Sequence, residues 1–152
     1  MANTYSFETF VMTFQGPSGN FSLGSGAGNA EEGVSFAMTE DKNTMTIGAD
    51  GSGMHSLHAG RSGTVTVRLL KTSPTNALLS AAYNFQTSNP AVHGQNILSG
   101  RDVYRGDVIV CQQCAFRKQP DITFAKDGGT NEWVFDAVYI DMQLGSGLAA
   151  GL

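Results

Sequence analysis

The sequence predicts a mainly β protein with one substantial helix, and three observations carry that reading. Residues 63–86, GTVTVRLLKTSPTNALLSAAYNFQ, first alternate Val65, Val67 and Leu69 with Thr64, Thr66 and Arg68, the period of a strand with one apolar face. The period then becomes helical: Thr72 or Ser73 offers a capping oxygen, Pro74 suits a first helical position, and Leu78, Ala81, Ala82 and Phe85 recur at i, i+3, i+4 and i+7. Elsewhere, short alternating runs are separated by turn residues, among them many of the 19 glycines.

Taken in order, residues 5–14 read as a first strand with bulk on both sides, because Phe7, Thr9, Val11 and Thr13 alternate with Glu8, Phe10, Met12 and Phe14. Gly16-Pro17-Ser18-Gly19 is a turn, and Phe21 to Leu23 a short return. Residues 24–33 form a small-residue loop; its G-x-G-x-G spacing is followed by no helix, so it builds no phosphate site. Residues 34–39 and 44–47 flank Glu40-Asp41-Lys42-Asn43 and read as a hairpin. Residues 48–62 are glycine-dense yet hold Met54 and Leu57. With Gly51 and Gly53 admitting close backbone approach, they read as an arm that becomes ordered on a neighbour.

The helix is expected over 74–87, with Leu78, Ala81, Ala82 and Phe85 as its core face and Asn76, Ser80 and Asn84 outward. Strands follow at 96–99 and 107–118, the second stopped by Pro120. Residues 122–125 and 131–142, joined by Lys126-Asp127-Gly128-Gly129, read as a last hairpin in which Trp133, Phe135, Ala137 and Tyr139 share one face. The tail 145–152 is too short and glycine-rich to pack unaided.

A length of 152 residues suits one domain. Charged residues make up 14%, against the usual quarter of a soluble domain, which implies a surface that is covered in use. The net charge of −4, with no Lys or Arg before Lys42, argues against ordinary nucleic-acid binding, which needs basic groups to displace counterions. Glu8, Glu31, Glu32, Glu40 and Asp41 read as a solvated acidic region. No apolar run nears the roughly 20 residues of a membrane span, and MANTYSFETF lacks the order of a secretory signal, so cytosol-like conditions are expected.

Cys111 and Cys114 form a C-x-x-C on a strand, which should place them on opposite faces as small buried hydrophobes rather than a redox pair. His55 and His58 show no sign of completing a zinc site with them. No residue set assembles a catalytic, cofactor or metal site, so an enzyme is not expected.

Residues 63–82, GTVTVRLLKTSPTNALLSAA, together with SGRDVYRGD at 99–107 and WVFDAVYIDMQLG at 133–145, resemble the tail tube (inner tube) proteins of contractile-tailed bacteriophages. The resemblance implies an antiparallel β-sandwich or barrel with one flanking helix on the outside of the sheet, similar to the tube proteins of pyocins and type VI secretion. It further implies hexameric rings stacked into a tube, with tail sheath, baseplate and tail terminator as partners. Double-stranded DNA would pass through the lumen without specific binding, and no membrane is involved. The protein would reside in the virion tail after assembly in the host cytoplasm. In that setting Met54, Leu57, Gly51 and Gly53 are the inter-ring contact candidates. The alternative, a monomeric carbohydrate- or peptide-binding β-sandwich, would need exposed aromatics gathered in a pocket. Trp133, the single tryptophan, sits instead in a two-faced strand.

Overall fold

The strand and helix periods of residues 63–86 appear in the structure as the strand Gly63–Leu70 and the helix Thr75–Thr87 (α1), and the other strands gather around them. The structure is a computed structural model and describes residues 4–146; most of the glycine-rich tail at 145–152 therefore lies outside the described residues. In chain order the strands are β1 (Phe10–Gly16), β2 (Gly19–Ser22), β3 (Asn29–Met38), β4 (Asn43–Ile47), β5 (Gly53–Leu57), β6 (Gly63–Leu70), β7 (Asn96–Asp102), β8 (Asp107–Lys118) and β9 (Thr130–Gln143). Seven of them form one sheet in the order β2-β1-β7-β8-β9-β6-β3, every neighbouring pair antiparallel. β4 and β5 pair only with each other, as a separate ribbon.

The sheet is curled into a half-barrel rather than split into two stacked sheets. Its curl brings Phe36 of β3 beside Phe10 of β1, with both rings over Gly100 of β7. A Cβ at Gly100 would stand 3.2 Å from the Cζ atom of each ring. The inner face carries Met12, Phe14, Val65, Val67, Leu69, Leu98 and Phe135, all fully buried. Phe116 lies at the centre of an aromatic cluster, 4.7 Å from Phe135, 5.9 Å from Trp133 and 5.7 Å edge-on to Tyr83 of α1.

Polar contacts fix α1 on this inner face, not on the outside of the sheet. At its start Trp133 Nε1 donates to Asn76 Oδ1 at 3.0 Å, and the Asn76 amide in turn donates to the Leu70 carbonyl at 2.9 Å. Ser73 Oγ accepts from the Thr75 amide at 3.2 Å and donates to the Ala27 carbonyl. At its end the buried side chains of Gln86 and Asn96 exchange two hydrogen bonds, at 2.8 and 2.6 Å. Asn96 also donates to the Cys114 carbonyl, and Gln86 to Ser18 Oγ.

The face of α1 that meets the core is Thr75, Leu79, Ala82 and Gln86. This corrects the sequence reading at Leu78, Ala81 and Phe85, which face outward; Ala82 alone of the four is buried. The helix is apolar on two sides, and the inner side is hidden in the sequence because it includes the polar residues Thr75 and Gln86, the amide of the latter being satisfied by Asn96 and Ser18.

Other differences concern strand partners and the presence or bounds of elements. Residues 34–39 and 44–47 do not pair: β3 pairs with β6, and β4 finds β5 across the closer Gly48–Ser52 turn. No strand forms at 122–125. That stretch is a loop held by Lys71, which donates to the Thr123 carbonyl and lies over the Phe124 ring, while β9 pairs with β8 and β6. Residues 7–9 make a 3-10 turn ahead of β1, and β3 begins at Asn29, inside the expected loop.

Leu79→Ala should lower unfolding free energy by about 2–5 kcal/mol, as expected for a fully buried leucine. Leu78→Ala should change it by about 0.5 kcal/mol or less. Denaturant unfolding of the two variants, with equal losses, would reject this helix orientation.

Candidate assembly surface

The ribbon is built from short strands whose residues alternate sides. Its register pairs Met45 with His55, Thr46 with Met54, Ile47 with Gly53 and Asn43 with Leu57. One face therefore carries Met45, Ile47 and Leu57; the other carries Met54 among Thr44, Thr46 and Ser56. Of the sequence-predicted contact residues, Met54 and Leu57 are thus in one strand but on opposite faces. Gly53 opens β5, and Gly51 lies in the turn with φ of +88°, a conformation glycine adopts without strain. The expected arm at 48–62 is a formed ribbon that also recruits residues 43–47.

Polar contacts join the two strands of the ribbon and its root. Thr44 Oγ1 and His58 Nε2 are 2.8 Å apart, Asn43 Nδ2 and His55 Nδ1 3.1 Å, and Lys42 Nζ donates to the His58 carbonyl at 2.7 Å. Met45, Ile47 and Met54 are nonetheless more than half exposed, and Leu57 is 84% exposed. A two-stranded ribbon is marginal by itself, and apolar side chains on it have no reason to face water.

A second apolar surface lies on α1. Its outward stripe of Leu78, Ala81 and Phe85 borders Pro17 and Phe21, forming an open groove of about 480 Å³. A second concavity, also about 480 Å³, opens at the ribbon end of the half-barrel between Tyr5, Phe10, Phe36 and Ile109. Asp102 sits at its rim. Burial opposes its ionisation, but hydrogen bonds from Thr9 Oγ1 and from the Tyr104 and Arg105 amides, with the Arg105 charge, hold its carboxyl below the ordinary value.

The outer face of the sheet carries two ion pairs. Arg68 meets Glu132 at 3.4 Å, and Arg117 meets Asp136 at 2.5 Å while also donating to Thr64 Oγ1. Cys111 and Cys114 are both fully buried on the same side, not on opposite sides. β8 has one extra residue there: Cys111 and Cys114 oppose Leu98 and Asn96, and Gln113 takes φ of 54°. A hydrogen bond with Cys114 and burial push the Cys111 thiol well above its usual range, so it is no ready nucleophile. His55 and His58 stay on the ribbon, and among the described residues no cluster of three metal-ligating side chains forms. No helix of the described residues is long and apolar enough to cross a membrane.

A curled antiparallel sheet that buries its own core, yet presents an apolar ribbon and an apolar helix stripe to its surroundings, defines a structural subunit built for assembly. The chain belongs to the family described as Bacteriophage PhiTE tail tube protein, whose model matches residues 1–145. It is accordingly a structural tail tube protein and not an enzyme. No curated protein matches the sequence.

Among solved structures the chain is similar in fold to one from the PVC sheath-tube complex of an extracellular contractile injection system in the extended state. The TM-score is 0.60 at 13% identity, covering 93% of this chain and 92% of that one. A chain of the PVC sheath/tube terminator gives 0.59 at 11% identity, over 94% and 99%. A chain of the anti-feeding prophage tube-terminating cap gives 0.54 at 9% identity, over 95% of each. At these identities the likeness is one of fold.

Asp102 generates a prediction with a definite sign. A carboxyl held below its unfolded value of 3.8 contributes stability above that pH, and the contribution is lost as pH falls through the lower folded value. Asp102→Asn should lower the melting temperature at pH 7, by the equivalent of about 1 kcal/mol. The gap from wild type should close in acid below pH 3.8. Thermal melts across pH check this, and a gap that stays constant would reject it.

Proposed function

We propose that this protein forms hexameric rings that stack into the inner tube of a contractile phage tail, a conduit for delivery of genome DNA. The observation that carries the stacking part is the separate ribbon: an element outside the subunit's own sheet, with Met45, Ile47, Met54 and Leu57 exposed. Leu57 on one face of the ribbon and Met54 on the other are inter-ring contacts, and Gly51 and Gly53 let the ribbon's tip lie close to the next ring. Sheath, baseplate and terminator proteins are its partners in the virion tail, following assembly in the host cytoplasm. Support for these partners comes from the fold shared with chains of sheath-tube, terminator and baseplate assemblies.

Electrostatics favour passage of DNA over its retention. A wall lined with unpaired Lys and Arg would hold the duplex at every ring by phosphate contacts, and the effect would multiply along the tube. Here the chain carries −4 overall, and Arg68 and Arg117 on the outer sheet face are each matched to a carboxylate. Duplex DNA passes without specific binding.

Electron microscopy of the purified protein should show rings or tubes; a species that stays monomeric at all concentrations, and in virions, would refute the proposal. Met54→Asp combined with Leu57→Asp places a carboxylate on each face of the ribbon. The variant should remain folded by circular dichroism and give single rings at most. Long tubes from it would locate the inter-ring contact elsewhere.

A further inference from the structure

We infer that the apolar groove between α1 and the β1–β2 turn is the seat for the β4–β5 ribbon of a second copy of this chain, joined head to tail. The inference rests on the tube reading and supplies the receptor for the ribbon, which that reading leaves open.

Three observations converge on this pairing. The first is the direction of the helix stripe. Leu78 and Phe85 are 49% and 51% exposed although α1 already has a buried face, so the helix has apolar residues for a second partner. The second is charge. From Thr72 to Gly100 the chain contains no Asp, Glu, Lys or Arg, and Pro17, Phe21 and their turn add none. The ribbon face of Met45, Ile47 and Leu57 is equally free of formal charge, its remaining members being Asn43, Gly53 and His55. Two uncharged apolar surfaces lose no ion solvation on meeting, whereas a charged partner of either would.

The third observation is topological. The ribbon returns to the sheet at Gly63, the first residue of β6, and the chain leaves for α1 after Leu70, its last. Counting antiparallel neighbours from β6 through β9, β8 and β7 to β1 gives β1 the same direction as β6. The β1–β2 turn therefore lies at the α1 end as well. Eight residues of β6, roughly 26 Å of strand, separate ribbon from groove in one molecule. A ribbon cannot reach its own groove, but it can reach that of a copy translated along the strand direction. Such a contact is heterologous and does not close in that direction, so each added copy presents a fresh groove or ribbon and the array grows along one axis. Dimensions agree: a five-residue ribbon spans roughly 17 Å and a 13-residue helix roughly 20 Å.

The test places Leu57→Cys and Phe85→Cys in one chain, assembles it under reducing conditions and then oxidises it with glutathione disulfide. Two thiols give one disulfide while glutathione disulfide is reduced to two glutathione thiols. A ladder of covalent oligomers on a non-reducing gel, with positions 57 and 85 joined in a peptide identified by mass spectrometry, is the expected result. Tubes that form without that link overturn the docking and leave the tube reading standing; a wild-type chain that never forms rings or tubes overturns both. If the double variant does not assemble, Leu78→Glu decides. It should fold as wild type by circular dichroism yet lose sedimentable polymer by roughly ten-fold or more. Polymerisation of Leu78→Glu at the wild-type level overturns the docking.

Discussion

The reciprocal amide pair of Gln86 and Asn96 sets the rotation of the helix, and much of the surface follows from it. α1 carries Leu78 and Leu79 side by side, so burying one or the other yields nearly the same apolar gain. Polar groups break the tie. With Gln86 turned inward, its amide meets Asn96 and Ser18, and Asn96 meets the Cys114 carbonyl, so these buried side-chain groups are paired. Rotating α1 by one residue would bring Leu78 and Phe85 in and leave Asn96 without its partner, at about 1–3 kcal/mol for each orphaned group. The same amide excludes a side chain at Gly16, where a Cβ would stand 2.1 Å from Asn96 Oδ1. A polar contact inside the core thus decides which apolar residues face the solvent.

The sheet's bend is a second constraint with consequences at a distance. In β8 the residues Gln112 and Gln113 both point outward between buried Cys111 and Cys114. In β9, Val138 and Tyr139 do the same between buried Ala137 and Ile140. Cys111 opposes Ile140 and Cys114 opposes Ala137, so the two strands change face together and their pairing survives the bend. Gly63 lies at this corner, where a Cβ would collide with the Ala37 carbonyl and with Ile140. Just before it, Arg61 bridges to Tyr139, through the Arg61 carbonyl to the Ile140 amide and through its guanidinium to the Tyr139 hydroxyl. The corner therefore also anchors the root of the ribbon.

What the sequence displayed was local. β6, α1 and β8 were legible within about a residue because each is announced by its own period and its own punctuation. The single-helix, antiparallel β class followed from those periods together with the resemblance at residues 63–82, 99–107 and 133–145. Pairing was not legible: the turn at Glu40 to Asn43 signals a change of direction but not that β4 abandons β3 for β5. The orientation of α1 was hidden because Thr75 and Gln86 count as polar in a pattern yet are buried in the fold. Cys111 and Cys114 appeared on opposite faces because a strand period knows nothing of an extra residue at Gln113. The ribbon's composition flags Met54 and Leu57, but the third and fourth apolar members, Met45 and Ile47, lie in a segment whose flanking turn predicts a hairpin with residues 34–39.

Stability and assembly meet at the ribbon. Within one subunit its two five-residue strands are supported by their own hydrogen bonds and a few polar contacts at the root, which is little against the entropy of ordering them. The barrel owes the ribbon nothing, since its core is closed by α1 and the curl of the sheet. In the stacking inferred here, covering Met45, Ile47 and Leu57 supplies the burial that the isolated ribbon lacks, while covering Leu78 and Phe85 removes the helix's exposed stripe. Each docking event covers a ribbon face and a groove in a single contact, and whatever the ribbon loses in freedom there is taken from that gain. A polymer held in this way resists loss of subunits from its interior and grows or shortens at its ends.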